Sequence, residues 1–326
     1  MTYYDPDRHP KGVNFYATHG YDRVAHFRTD EDWLAARKAA DDVRVTLSWR
    51  GQNLVLLGAD PMPLMLEAST VFSRLDEKAD VIMLGVVGES VETGTPHFAV
   101  DLSHHEDPLS APGIGELLVQ RGGAFANLRD VGPAMAHTDG AVLAYARALA
   151  WWHQRTRFCG VCGSPTESKE AGHVRVCTNP ACGAEHYPRT DPAVIVLVVD
   201  GERCLMGRSA RFPPGMFSTL AGFVEPGESL EDCVAREIHE ESNIRVKDVR
   251  YHSSQPWPFP QSLMVGFYAR AATTEIMIDQ DELVECFWAD RSLILNPPND
   301  GTFGLPRPDS IARRLIEDWA HGRVEV

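Results

Sequence analysis

Between Gly222 and Ile244 the chain reads GFVEPGESLEDCVAREIHEESNI, with Gly222, Glu228, Arg236-Glu237-Ile238 and Glu240-Glu241 at the spacing G-x5-E-x7-R-E-I-x-E-E. On a helix, Glu237 and Glu241 are i, i+4 neighbours and Glu240 lies at i+3 from Glu237, so three carboxylates gather on one patch. Like charges that close repel unless a cation neutralises them, and hard divalent ions take oxygen ligands. Mg²⁺ or Mn²⁺ held there would bridge the oxygens of a diphosphate and lower the pKa of an attacking water. The chemistry expected is metal-assisted hydrolysis, with Glu241 the candidate for the base that accepts the water's proton.

A helix must position these acids, and its signals are present. Ser229, three residues before Asp232, reads as an N-cap, and Glu231 and Asp232 suit the positive helix end. Leu230, Val234 and Ile238 recur at i, i+4, i+8 and give the helix an apolar stripe to bury. Asn243 stands where a left-handed residue would close it.

A second constellation lies upstream: Cys159-x2-Cys162, fourteen residues, then Cys177-x4-Cys182, with Gly160, Gly163 and Gly183 each following a cysteine. Short-spaced pairs across such a gap form a zinc-ribbon pattern, closed and tetrahedral, so the expected Zn²⁺ is structural. The x4 spacing is loose, which leaves His173 or His186 as alternatives for one ligand. The stretch between the pairs is neither basic nor aromatic, which favours a clip bracing two domains over a nucleic-acid reader. Cys204, Cys233 and Cys286 are scattered singly and read as core.

Ten residues past the acid-rich helix stands Ser254-Gln255-Pro256-Trp257-Pro258-Phe259-Pro260-Gln261-Ser262. Three prolines in five residues exclude regular helix and central strand, and predict a stiff loop. Such a loop would fix Trp257 and Phe259 beside Gln255 and Ser262, which suits a flat heteroaromatic ring that also needs hydrogen bonds.

The string SQPWPFPxS at this distance from the Gly222–Ile244 box resembles the mark of the NADH pyrophosphatase subfamily of Nudix hydrolases. The likeness extends over the cysteine ribbon, the box, the proline segment and the ARRLIED stretch near the C-terminus, about the second half of the chain. It implies hydrolysis of the diphosphate of NADH or NAD⁺ to nicotinamide mononucleotide and AMP, with Mg²⁺ or Mn²⁺, a structural Zn²⁺ and a homodimer. Some members also remove NAD caps from the 5′ end of RNA. Position by position, the resemblance places metal ligands at Glu237, Glu240, Glu241, the backbone carbonyl of Ala221, and Glu282. Glu285, one helical turn on, competes with Glu282 for the last role. Substrate contacts map to Tyr187, Phe223, the whole Ser254–Ser262 segment and Ala312, with Arg129 in FANLRDVG as a further contact. Two other functions remain open: a broad Nudix hydrolase of compounds such as ADP-ribose, and an RNA-end binding module with a vestigial site. All the box acids are present, which counts against the second.

The rest of the chain bounds these readings. Its 326 residues exceed one such domain, and we expect a mixed α/β region over 1–157, the ribbon over 158–190 and an α/β/α Nudix sandwich over 191–326. A net charge of −15 gives little help to a long nucleic-acid backbone but does not exclude a substrate that inserts one terminus. No apolar run is long enough to span a bilayer, the polar N-terminus lacks signal-peptide order, and seven cysteines argue against a disulfide framework, so the cytoplasm is the expected location. Asp41–Leu56 reads as a hairpin turning at Gly51-Gln52-Asn53, Val81–Val87 and His97–Leu102 as strands, and Gly140–Gln154 as a helix. No catalytic constellation stands out before the ribbon. Beyond it, Pro192–Val199, Arg203–Gly207, Val265–Arg270 and Cys286–Ala289 read as strands and Ser310–Ala320 as a closing helix.

Overall fold

The computed structural model describes residues 12–17, 21–76, 78–88 and 90–326. The polar N-terminal stretch lies outside the described residues. The chain divides into two compact units: one runs to Arg189 and takes in Pro258–Gln261, the other comprises Thr190–Trp257 and Ser262–Val326.

In the first unit, β1 (Arg44–Trp49) and β2 (Gln52–Leu56) form the expected hairpin, paired through Ser48↔Asn53 and Trp49↔Gln52. Its turn is Arg50-Gly51 rather than Gly51-Gln52-Asn53. Both turn residues have positive φ, 47° and 75°, as a two-residue hairpin turn demands, and Gln52 is thereby released to start β2. β3 (Asp80–Val87) runs antiparallel to β4 (Thr95–Asp101), and β4 lies parallel to β1. Val45, Leu47, Leu54, Met83 and Val100 of this sheet pack with Ile114 and Leu118 of α1 (Ile114–Arg121). The long helix α2 (His137–Arg155) extends the expected Gly140–Gln154 by a few residues at its start.

Three short strands build the ribbon: β5 (Thr166–Lys169), β6 (Val174–Cys177) and β7 (Glu185–His186), all antiparallel with β6 central. Arg175 on β6 is only 6% exposed and reaches out of the ribbon. Its Nη1 donates to Asp80 Oδ1 on β3 at 3.1 Å and to His153 Nδ1 on α2 at 3.0 Å. His153 Nε2 in turn donates to the Gly172 carbonyl at 2.7 Å. A buried charge is tolerated only when paired and hydrogen-bonded, so this joint fixes the ribbon on β3 and α2.

The second unit is built on β8 (Asp191–Asp200), β9 (Arg203–Arg208) and β10 (Leu220–Phe223), followed by the helix α3 (Leu230–Ser242). Then come β11 (Val246–Trp257), β12 (Ser262–Ala271), β13 (Glu285–Asp290), α4 (Arg291–Leu295) and α5 (Ile311–Ala320). The sheet order is β11-β12-β8-β9-β13, with β10 paired to β8 and with β8 parallel to β12. Alternation along the unbroken apolar run of β8 explains the layers. Val194, Val196 and Val198 face Cys233, Val234 and Ile238 of α3, whereas Ile195, Leu197 and Val199 pack with Ile311, Leu315 and Trp319 of α5. The result is the expected α/β/α sandwich. Cys204 and Cys233 are buried as anticipated, while Cys286 is only partly so.

The proline segment corrects one expectation. Ser254 to Trp257 belong to β11, paired with β12 from Ser254↔Val265 to Trp257↔Ser262, and only Pro258–Gln261 form the connection. β11 is the edge of its sheet, where a proline without an N–H is tolerated, so Pro256 continues the strand rather than breaking it.

Candidate active site

Both ends of α3 close as the sequence predicts. Ser229 Oγ accepts the Asp232 N–H at 3.1 Å, and Asn243 takes the left-handed conformation, φ 63°, with its N–H on the His239 carbonyl at 2.7 Å. With the helix fixed at each end, Arg236 organises its acids. The guanidinium grips Glu228 through Nε–Oε1 at 2.6 Å and Nη2–Oε2 at 2.8 Å, a two-pronged charge-assisted pair. Nη1 also donates to Glu237 Oε1 at 2.9 Å and Glu240 Oε2 at 3.0 Å, and Nη2 to the Phe223 carbonyl at 3.0 Å. Arg236 and the Glu225 N–H hold the Glu228 carboxyl down to about 2. Glu228 is thus the anchor of the loop, and the patch itself is made of the three later glutamates.

Within that patch Glu241 is the buried member, 6% exposed. Burial first, then the charges of Glu282, Glu237, Asp279 and Glu240, push its carboxyl up to about 8. Glu237 is also raised, mainly by burial. Four carboxylates around a buried fifth, with Arg236 tied to only part of the set, form an oxygen-rich donor group whose charge calls for a hard divalent cation.

β10 brings the chain up against this patch. A Cβ on Gly222 would lie 1.8 Å from Glu237 Cδ and 2.1 Å from each of its carboxylate oxygens, so only glycine lets the strand pass this close. The peptide joining Ala221 to Gly222 therefore runs beside Glu237. Phe223 follows, 59% exposed. Of the two acids competing for the site beyond the box, Glu285 accepts from Arg208 Nε at 2.8 Å across the β9–β13 pair, and Glu282 is the one whose charge raises Glu241. Asp279 was missed in the sequence; its N–H donates to the Glu241 carbonyl at 3.2 Å and its charge adds to the patch. The acidic run of Asp279, Asp281 and Glu282 was its only signal.

Several expected substrate contacts are engaged by the protein itself. Gln255 is 1% exposed, with Nε2 on the Asp309 carbonyl at 2.8 Å and Oε1 accepting the Ile311 N–H at 2.8 Å. Its amide fastens β11 to the start of α5 instead of facing a ligand. Ala312 is buried in the first turn of that helix. In the first unit, the Pro258 carbonyl accepts from Arg147 Nε at 2.8 Å. The Phe259 ring lies against Tyr16 at 5.5 Å and carries the guanidiniums of Arg129 and Arg147 at 5.6 and 5.2 Å. Arg129 is thereby brought to the proline segment, through an aromatic face. Tyr187, 61% exposed, lines a cavity of about 640 Å³ with Trp151, Arg155, Arg189 and Gln261.

The ribbon cysteines converge, all four sulfurs lying within 4.8 Å of one another. Cys159–Cys182 and Cys162–Cys177 are 3.8 and 3.4 Å apart, close to the edge of about 3.8 Å that a tetrahedron of zinc–thiolate bonds spans. His173 is engaged with Tyr145 at 2.7 Å, and His186 hydrogen-bonds the Cys159 sulfur at 3.3 Å as an outer partner. The four thiolates are the zinc ligands, and with no position left open the zinc is structural.

Comparison with known proteins agrees with this geometry. Residues 189–304 match the NUDIX domain, 154–187 the NADH pyrophosphatase zinc ribbon domain, and 42–152 an NADH pyrophosphatase-like rudimentary NUDIX domain. The last identifies the mixed α/β region before the ribbon, whose own residues announced no family. The chain is 38% identical to the NAD-capped RNA hydrolase NudC of Mycobacterium bovis, over 92% of this chain and 93% of that one. It is 35% identical to the human NAD-capped RNA hydrolase NUDT12, over 94% of this chain and 73% of that one. Against NudC of Stutzerimonas stutzeri the identity is 47%, over 56% and 63%. The chain belongs to the NADH pyrophosphatase-type Nudix hydrolases, with a rudimentary N-terminal NUDIX domain, a four-cysteine zinc ribbon and a C-terminal NUDIX domain.

Proposed function

We propose that the protein hydrolyses the diphosphate of NADH and NAD⁺ to nicotinamide mononucleotide and AMP, and removes the NAD cap from RNA by the same cleavage. The observation that carries the hydrolysis is Glu241: a buried carboxylate, pushed up to about 8 by burial and four neighbouring acids, at the end of a helix held rigid at both ends. The relatives' activity, together with the ribbon and both NUDIX regions, supports the choice of substrate.

In this reading Glu237, Glu240, Glu241, Glu282 and the Ala221 carbonyl hold Mg²⁺ or Mn²⁺. Once bound, the ions neutralise the diphosphate and make water a competent nucleophile. Glu241 accepts the proton as the water's oxygen bonds to phosphorus, and the electron pair of the breaking P–O bond leaves on the departing phosphate. Arg236 keeps Glu237 and Glu240 in place. Phe223, exposed one residue after the close-approach glycine, offers its face to a substrate ring. Trp257, in the same unit, is a further proposed contact. The reading includes a homodimer and a cytoplasmic location, where reducing conditions keep the ribbon thiols free for zinc. Among the described residues no helix is long and apolar enough to cross a membrane.

The test compares NADH, NAD⁺, ADP-ribose, NAD-capped RNA and triphosphate RNA in ¹⁸O water, with wild type and Glu241→Gln. Release of nicotinamide mononucleotide from NADH and from capped RNA by the wild type, and its loss in the variant, is expected. Faster turnover of ADP-ribose than of either would overturn the substrate assignment, and a fully active variant would overturn the role of Glu241.

A further inference from the structure

The N-terminal unit holds a second group of metal-ligating side chains. Asp76, in the turn before β3, and His104-His105, just after β4, bring three donor atoms within 4.8 Å of one another. Nε2 of His104 lies 2.9 Å from Asp76 Oδ2, and Nε2 of His105 lies 3.2 Å from the same oxygen. Ligands about 2.0–2.1 Å from one ion at near-tetrahedral to octahedral angles stand about 3.0–3.4 Å apart, so these separations suit a shared cation.

The surrounding backbone holds this group in place. Asp76 Oδ1 accepts the Lys78 N–H at 2.9 Å and the Asp76 carbonyl accepts the Ala79 N–H at 3.2 Å, which turns Oδ2 towards the histidines. The His105 N–H donates to the Leu102 carbonyl at 3.0 Å, and its carbonyl accepts Trp49 Nε1 at 3.1 Å. The His104 side chain is only 8% exposed, and among the described residues its Nδ1 makes no hydrogen bond, so its polar contact there is through Nε2. Beside the group lies a cavity of about 130 Å³ lined by Asp76, His105, Arg74, Ala79, Leu102 and Ala111. That volume admits a few waters at about 30 Å³ each.

We propose that Asp76, His104 and His105 form a second transition-metal site, taking Zn²⁺ or a neighbouring ion of the first row, separate from both the ribbon and the glutamate patch. Two imidazoles and one carboxylate select such an ion over Mg²⁺ or Ca²⁺, which prefer oxygen alone. Three protein ligands leave at least one coordination position for water from the adjoining cavity. The ion would fasten the segment after β4 to the turn before β3, where the sequence alone provides no covalent link.

The test counts zinc in the purified full-length chain, loaded with zinc in the presence of excess Mg²⁺ to fill the glutamate patch, then desalted. Inductively coupled plasma mass spectrometry should find two zinc ions per wild-type chain and one in Asp76→Asn and in His105→Gln. Both variants keep the His104 ring, and their circular dichroism should match the wild type. Zinc titration of chains first freed of metal at this group should raise Tm in the wild type more than in either variant. One zinc per chain in the wild type, or two in all three proteins, overturns the proposal.

Discussion

Replacing Gly222 by alanine tests the close approach of β10 to the acids of α3. The added Cβ would stand 1.8 Å from Glu237 Cδ and 2.1 Å from both oxygens. Ordinary carbon contacts begin near 3.5 Å, so the carboxylate must retreat by about 1.5 Å. The atoms that would clash are the end of the flexible Glu237 side chain rather than backbone, so the strain falls on the carboxylate and spares the fold. The functional cost is larger, because a displacement of about 1 Å in a positioned group lowers turnover about 100-fold, equivalent to about 2.7 kcal/mol in the barrier. Steady-state hydrolysis of NADH with saturating Mn²⁺ should therefore show kcat down about 100-fold with little change in Tm. In a Glu237→Ala background, where no carboxylate remains to be displaced, the same glycine substitution should cost almost nothing further. A Gly222→Ala enzyme within about threefold of the wild-type kcat would refute the reasoning, since that corresponds to less than about 1 kcal/mol.

Other perturbations have equally defined outcomes. Glu241 is protonated more readily in the folded chain, at about 8, than in the unfolded one, so metal-free protein must lose stability as pH rises towards 8. Between pH 6.5 and 8 the fall should be about 2 kcal/mol by chemical denaturation, absent in Glu241→Gln and abolished by Mg²⁺. His97 and His173 behave in the opposite sense: burial pushes them down to about 4 and about 3, so they stay neutral when folded and charge when unfolded. Their contribution is intact above pH 6.5 and each should remove about 1.4 kcal/mol by pH 5.5, an effect that His97→Gln would reduce. Arg175→Leu leaves Asp80 without its cation and should cost about 3–5 kcal/mol, whereas removing both charges as Arg175→Leu/Asp80→Asn should recover part of that loss. Cys162→Ser should release the ribbon zinc and lower Tm, while the isolated chemistry of the glutamate patch keeps its metal dependence.

Local signals were legible in the sequence to the extent that they act locally. The cap at Ser229, the left-handed Asn243 and the i, i+4 relation of the acids depend on neighbours within one or two turns, and all appear as expected. The unbroken apolar run of β8 likewise announced a buried strand. What escaped detection depends on residues far apart in the chain. Gln255 is captured by Asp309 and Ile311, 54 and 56 positions away, and no composition of the proline segment could announce that. Pro256 continues a strand because that strand happens to be an edge, a property of the assembled sheet. Asp76 meets His104 and His105 only after β3 and β4 pair, so their side chains carry no motif in sequence. That Glu285 is engaged by Arg208, a residue on another strand, is likewise invisible in the local sequence.

The central ribbon strand also has a consequence for how the protein fails. Cys177, a zinc ligand, and Arg175, the cation neutralising Asp80, sit two residues apart on β6 and therefore share one face. Loss of the zinc would free the end of the strand that carries the arginine. Asp80, its side chain only 17% exposed, is then left unneutralised against the N-terminal sheet. Loss of the ribbon's metal would thus be felt in the neighbouring sheet, through the Arg175–Asp80 pair.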